Sequence, residues 1–225
     1  MNAAPERDLA PAESAQVRIT EIFYSLQGEA RTVGQPTVFV RLTGCPLRCH
    51  YCDSEYAFHG GRRMSVAEIL DAVAQYTPRF VTVTGGEPLA QRSCLPLLTL
   101  LCDKGYEVSL ETSGALDVSQ VDPRVVKVMD LKSPDSGELA KNRWDNLAHL
   151  QPHDQIKLVL CSRGDYEWAK EVLRQYDLAR WEVLFSASHG QLAPRDLAEW
   201  ILADRLPVRL QIQLHKYLWG EEPGR

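Results

Sequence analysis

Eight short runs of β-branched and apolar residues constrain the fold of this chain more than any other feature. They are VRITEIFY (17–24), TVFVRLT (37–43), FVTVT (80–84), YEVSLET (106–112), VVKVMDL (125–131), QIKLVL (155–160), WEVLFSA (181–187) and VRLQIQL (208–214). Several carry too few polar residues to alternate cleanly, as expected of strands buried on both faces. Helical patterns lie between many of them. In SVAEILDAVAQY, Ser65 and Glu68 form a capping box, and Val66, Ile69, Leu70 and Val73 make one apolar face. Helices are also expected over 91–104, 164–179 and 194–204, the last with Pro194 near its first turn. This alternation implies βα units and a mostly parallel sheet, laid out as an open doubly wound sheet or a full or partial barrel. One connection breaks the pattern: SGALDVSQVDPR, between 106–112 and 125–131, is too short and polar for a good crossover helix. The longest irregular stretch, 132–154, is expected to hold a short helix around 142–149. With no repeat or linker in view, residues 17–220 read as a single domain between a polar, mobile tail (1–16) and a short C-terminal tail (221–225).

A net charge of −5 over 225 residues supplies no global basic field, which argues against nucleic acid as the primary ligand. No apolar run approaches the roughly 20 residues of a membrane span. The N-terminal segment lacks the hydrophobic stretch of a signal peptide. The expectation is a cytoplasmic protein with reduced thiols, in which a tight group of cysteines holds metal rather than forming disulfides. Cys94, Cys102 and Cys161 are scattered among apolar neighbours and read as inert core residues.

Such a group exists. GCPLRCHYCD, directly after the run 37–43, places Cys45, Cys49 and Cys52 in a C-x3-C-x2-C spacing. Parallel α/β proteins put ligand sites at this C-terminal end of a strand. Thiolates select zinc, copper(I) or iron–sulfur clusters. A catalytic zinc can use three ligands and a water, with His50 as a possible fourth ligand. Short x2 and x3 spacings also match loops that wrap an iron–sulfur cluster. A cubane held by three cysteines keeps one iron open for a small molecule. The spacing alone leaves cluster, zinc and chance grouping open. A second motif, TGGEP (84–88), follows the next run, where a Gly-Gly pair permits close backbone approach to a ligand or forms an ordinary turn.

Together the cysteine loop and GGEP resemble the radical S-adenosylmethionine (SAM) superfamily. The resemblance implies a [4Fe-4S] cluster on Cys45, Cys49 and Cys52 whose open iron is chelated by SAM, with Gly86 and Glu87 at the SAM amino group. The reduced cluster then cleaves SAM, and the 5′-deoxyadenosyl radical abstracts a substrate hydrogen. Tyr51 matches the aromatic that shields the cluster. The implied fold is a partial (β/α) TIM-like barrel, α/β with a mostly parallel sheet.

EIFYSLQGEA (21–30), FVRLTGC (39–45), ETSG (111–114) and QLHKYLWG (213–220) narrow the resemblance to the 7-carboxy-7-deazaguanine synthases of queuosine and deazapurine biosynthesis, over about residues 18–220. It implies conversion of 6-carboxy-5,6,7,8-tetrahydropterin to 7-carboxy-7-deazaguanine and ammonia, by hydrogen abstraction at C6 and ring contraction, with SAM regenerated and Mg2+ assisting. Leu26, Gln27, Gly28, Glu29, Arg41, Thr84 and His215 fall at substrate positions, with Lys216 beside the last. The Gln27 amide suits a pterin edge. The Arg41 fork suits a carboxylate, or else an internal salt bridge with Glu21 or Glu29. Thr112, Ser113, Lys132, Ser133, Phe185, Ser186, Ala187 and Ser188 fall in SAM-contact regions. Ser54 stands where the family's magnesium-binding Thr is familiar; its oxygen is a hard ligand. Ser113 replaces a familiar Asn, and Ala30 a familiar Gly. The chain also runs past HKYL to Arg225, which puts a terminal-carboxylate role in doubt. The implied partners are the small pterin, a flavodoxin or ferredoxin-type electron donor and a second copy of the chain, with no direct nucleic acid or membrane contact.

Two other readings compete: a radical SAM enzyme that installs a glycyl radical on a protein, and a non-catalytic zinc-binding module. Neither accounts for LQGE with Arg41, or for HKYL.

Overall fold

The computed structural model describes residues 11–220 together with 222 and 224; most of both expected tails lies outside them. The described residues form one nine-stranded sheet of order β3-β1-β2-β4-β5-β6-β7-β8-β9. At one end, β1 (Gln16–Leu26) runs antiparallel to both β2 (Pro36–Leu42) and β3 (Arg62–Ser65). From β2 onward every pairing is parallel: β4 (Phe80–Gly85), β5 (Glu107–Thr112), β6 (Val126–Leu131), β7 (Gln155–Leu160), β8 (Glu182–Ala187) and β9 (Arg209–Gln211). β3 and β9 end the sheet without pairing to each other, so the curved sheet is open, a partial barrel.

Side-chain alternation gives the sheet two unlike faces. Val38, Val40 and Leu42 of β2, Val81 and Val83 of β4, and Val108 and Leu110 of β5 join one apolar layer under α1 (Val66–Ala74) and α2 (Cys94–Asp103). Met129, Leu131, Ile156, Leu158, Val183 and Phe185 join a second layer under α3 (Arg163–Gln175) and α4 (Pro194–Asp204). The opposite face is polar and charged. Arg41, Thr84, Glu111, Asp130, Lys132, Lys157 and Ser186 line one cavity there. Charges on a strand are tolerated only where partners or ligands meet them, so this face is where the chemistry lies.

The helices form where caps and faces agree. Ser65 and Glu68 make the expected capping box on α1, whose Val66, Ile69, Leu70 and Val73 are buried. The Ser162 hydroxyl caps α3 by accepting from Asp165 N. The connection from β5 to β6 has no helix. Asn146 pins it instead, accepting from Val118 N and donating to the carbonyls of Gly114 and Leu116. The short helix near 142–149 is a 3-10 turn, Trp144–His149. At the C-terminal end the sequence expectation needs correction. The strand expected over 208–214 stops at Gln211, and α5 (Leu214–Trp219) folds back because Leu214 N donates to Gly28 O.

Candidate active site

The C-terminal edge of the parallel strands surrounds a cavity of about 500 Å³. The loop after β2 carries the three cysteines into its wall. Gly44 N donates to Ala57 O, and Glu87 N donates to Gly44 O at 2.8 Å. Gly85 and Gly86 are small for a packing reason. A Cβ on Gly86 would lie 2.4 Å from Gly44 O, and one on Gly85 would lie 2.4 Å from Leu42 O. The glycine pair therefore lets the end of β4 close against the cysteine loop, while Gly86 still faces the cavity.

Cys45, Cys49 and Cys52 are free, half-buried, and on one wall. Burial raises all three thiols, Cys49 to about 11, with Lys132 pulling the other way at Cys45 and Cys49. Among the described residues no three His, Cys, Asp or Glu converge as they would around a single ion. Three thiols in one short loop of the cavity wall are soft ligands that suit an iron–sulfur cluster. Among the described residues, Tyr51 Oη and Asp130 Oδ1 in that cavity are buried without a hydrogen-bond partner. A bound polar cofactor would meet such atoms.

Most of the SAM-region residues line the cavity: Gly86, Thr112, Ser113, Lys132, Ser186, Ala187 and Ser188. Glu87 does not. Fully buried behind the wall, its carboxylate accepts from Ser113 N (2.7 Å), Ser113 Oγ (2.5 Å), Thr112 Oγ1 (3.0 Å) and Leu89 N (3.0 Å). It shapes the ETSG turn. The serine at 113 commits its hydroxyl to Glu87. Phe185 also lies away from the cavity, on the outer face of β8, edge-on to Tyr166. Ser133 is buried beneath the surface.

The LQGE turn forms the opposite wall. Gln27 holds this turn together: Nε2 donates to Thr82 Oγ1 at 3.0 Å and Oε1 accepts from Glu29 N at 3.2 Å. Ala30 adopts φ +61°, the left-handed region that explains why glycine is familiar there. That conformation costs an alanine about 1–2 kcal/mol, offset by packing of its methyl against Val128 and Leu184. Arg41 pairs through Nε with Glu21 at 2.7 Å, and Tyr56 Oη donates to the same oxygen at 2.8 Å. The internal salt bridge foreseen for Arg41 thus forms with Glu21, while Glu29 pairs with Lys157.

α5 closes the site. The His215 ring packs where a Gly28 Cβ would stand, 2.2 Å from Nδ1. Gln213 Nε2 donates to Asp53 Oδ2 at 2.9 Å, tying α5 to the tail of the cysteine loop, and Ser54 Oγ donates to Asp53 Oδ1 at 2.9 Å. Burial lowers the His215 pKa, against the pull of Glu29 and Asp53. Gly28→Ala is therefore expected to push the imidazole out of place, an overpacking cost of about 1–3 kcal/mol. Steady-state kinetics should show kcat/KM falling roughly 10-fold. An unchanged value would mean that the ring does not need this seat.

Three further residues of the site, Glu111, Asp130 and Lys157, escape the sequence reading, although each is a charge inside an apolar run, the signal that singles out Arg41. Lys157 pairs with Glu29 and is the register partner of Asp130. Asp130 Oδ2 accepts from Lys132 Nζ at 3.0 Å. Glu111 accepts from Thr84 Oγ1 at 3.0 Å, and burial raises its carboxyl, against Lys157 and with Glu29.

An open, mostly parallel barrel with three cysteines after its first parallel strand defines the radical SAM class. Residues 39–131 match the Radical SAM superfamily. The chain belongs to the 7-carboxy-7-deazaguanine synthase family. It is 47% identical to the synthase of Koribacter versatilis, over 92% of this chain and 98% of that one. It is 46% identical to that of Chlorobaculum tepidum, over 92% and 96%. The crystal structure of QueE from Escherichia coli superposes with a TM-score of 0.74 at 26% identity, covering 88% of this chain and 94% of that one. Streptococcus suis SuiB, at 12% identity and a TM-score of 0.56, shares the fold alone. The protein is thus a radical SAM enzyme using a [4Fe-4S] cluster and SAM, and the zinc-module and glycyl-radical readings fall away. No described helix is long and apolar enough to cross a membrane.

Proposed function

We propose that the enzyme converts 6-carboxy-5,6,7,8-tetrahydropterin to 7-carboxy-7-deazaguanine and ammonia, with residues 17–220 acting as one domain. The observation that carries this reading is the shared cavity in which the cysteine loop, Gly86, the LQGE turn, Arg41 and His215 face one another. When bound, the cluster and SAM supply the hydrogen-abstracting carbon radical. The chain's own residues bind, orient and seal. Cys45, Cys49 and Cys52 would hold the cluster. Gly86, Thr112, Ser113, Lys132 and residues 186–188 line the SAM side. Leu26, Gln27, Gly28, Glu29, Thr84 and His215 line the pterin side. Arg41 sits between the Phe23 and Tyr56 rings, 5.9 and 5.7 Å from their centroids, with Glu21 fixing its Nε. That arrangement aims a preorganised fork at the substrate carboxylate. α5 shuts water out. Ser54 beside Asp53 would offer Mg2+ a hydroxyl oxygen, a hard ligand. We assign the electron supply to a flavodoxin or ferredoxin-type protein, the assembly to a homodimer and the compartment to the cytoplasm.

The test is an anaerobic assay with reconstituted protein, SAM, a reductant and the carboxylated tetrahydropterin, reading out the deazapurine. Absence of product from protein that holds its cluster would sink the reading. Arg41→Ala is expected to raise KM roughly 10- to 100-fold, since a charge-assisted bond of about 1.5–3 kcal/mol is lost. An unchanged KM and kcat would leave Arg41 as the partner of Glu21 only.

A further inference from the structure

Residues 134–138, just past the SAM-side Lys132 and Ser133, have no role in that reading, yet they grip the cysteine loop. Arg48 N donates to Glu138 Oε1 at 2.5 Å, and His50 N donates to Ser136 O at 3.0 Å. These two residues flank Cys49. His50 Nδ1 lies 3.1 Å from Asp135 O, and its ring rests on Gly137, where a Cβ would come within 2.8 Å. Gly137 has φ +77°, so glycine is required there for conformation and for space.

The gripping segment is itself locked. Ser136 Oγ donates to Ser133 O at 2.6 Å and accepts from Glu138 N at 3.0 Å. Asp135 N donates to Asp165 Oδ1 at 3.0 Å, and Ser162 Oγ donates to Asp135 Oδ2 at 2.5 Å. Asp165 is 1% exposed and also accepts from Cys161 N at 2.9 Å. Cys161 is half-buried rather than fully in the core, and its backbone N–H lies where the clamp meets the end of β7. Cys45 is placed differently, by Gly44 against the end of β4. Among the described residues Cys49 has no such strand contact, and its two neighbours are held by 135–138.

We propose that residues 134–138 form a clamp that positions Cys49 for the cluster, with Glu138 as its latch and Asp165 anchoring it to the start of α3. Glu138 and Asp165 are positioning residues, since neither lines the cavity. The inference rests on the assignment of the cluster to the three cysteines. A backbone N–H bonded to a second-layer acceptor fixes a ligand loop as an outer-shell partner fixes a metal-bound histidine, and its loss typically costs 10- to 100-fold in metal affinity.

The test compares Glu138→Ala, which removes the acceptor, with Glu138→Gln, which keeps Oε1. Each is reconstituted anaerobically, assayed for iron and sulfide, and challenged with a chelator while cluster absorbance is followed. Glu138→Ala is expected to shed its cluster roughly 10-fold faster than the parent protein, and Glu138→Gln at the parent rate. The apo-proteins should melt alike. Gly137→Ala, acting through the His50 ring, should also shed the cluster quickly and covers the case of a misfolded Glu138→Ala. Parent-like retention by Glu138→Ala, or equal loss from Glu138→Gln, would overturn the proposal. A parent protein that takes up no iron would overturn the cluster assignment itself, a distinguishable result.

Discussion

Cys45→Ala is expected to abolish turnover, by roughly 10³-fold or more, while the apo-protein stays folded. The activity falls because two thiolates remain where three are needed to hold three irons. The fold survives because Cys45 contributes little to it. The residue is half-buried, and Leu47 N donates to its Sγ at 3.4 Å. The loop is carried by backbone bonds that the substitution leaves intact, Gly44 N to Ala57 O and Glu87 N to Gly44 O. Cys94→Ala is the control with the opposite signature. Cys94 is fully buried in the apolar layer under α2, so its loss should lower the melting temperature and spare turnover. Iron content, turnover and thermal melts of the two variants separate the cases. Turnover within about 10-fold of the parent for Cys45→Ala would mean that the loop is not the catalytic centre.

The contrast between these cysteines shows what the sequence could reveal. A dense C-x3-C-x2-C loop after an apolar run is local information, and so is the Ser65–Glu68 capping box. The same holds for the missing helix between β5 and β6. What the sequence left hidden depends on register and on contacts distant in the chain. β3 is four residues, Arg62–Ser65, with two exposed arginines, and it becomes a strand only by pairing with β1. α5 folds because Gly28 O, nearly the whole chain away, accepts its first N–H. Phe185 falls on the SAM side by sequence position because parity within WEVLFSA cannot be fixed without the neighbouring strand. In the sheet Leu158 pairs with it, and both side chains point to the outer layer. Glu87 lies in the expected motif, but its work is to hold the ETSG turn. The clamp at 134–138 has no periodic signal at all, being a set of turns stabilised by hydrogen bonds to other loops.

Lys157→Met should be the most destabilising change in the cavity that leaves the cysteines untouched. Lys157 rises from the middle of β7 and is 14% exposed, paired with a Glu29 that is 10% exposed. Burial works against its ammonium, but Glu29, Asp130 and Glu111 together outweigh this and raise its pKa. It is the shared cation of three carboxylates, whereas Lys132 sits on Asp130 and Arg41 on Glu21. Removing one partner of a buried pair costs about 3–5 kcal/mol, because the other charge is left without compensation. For a chain of this size that lowers the melting temperature by roughly 6–20 °C. The effect should be asymmetric. Glu29→Gln leaves Lys157 with Asp130 and Glu111 nearby. The amide oxygen of that variant can still accept from Gln211 Nε2, which donates to the Glu29 carboxylate at 3.2 Å in the parent. Its cost should therefore be clearly smaller. The double variant removes both charges and should recover part of the loss seen in Lys157→Met, giving a coupling energy on the order of 1–3 kcal/mol in a double-mutant cycle. Equal losses from both single variants, with simple additivity in the double, would mean that Glu29 and Lys157 act independently. The substrate wall would then owe its shape to the Gln27–Thr82 bond rather than to this charge array.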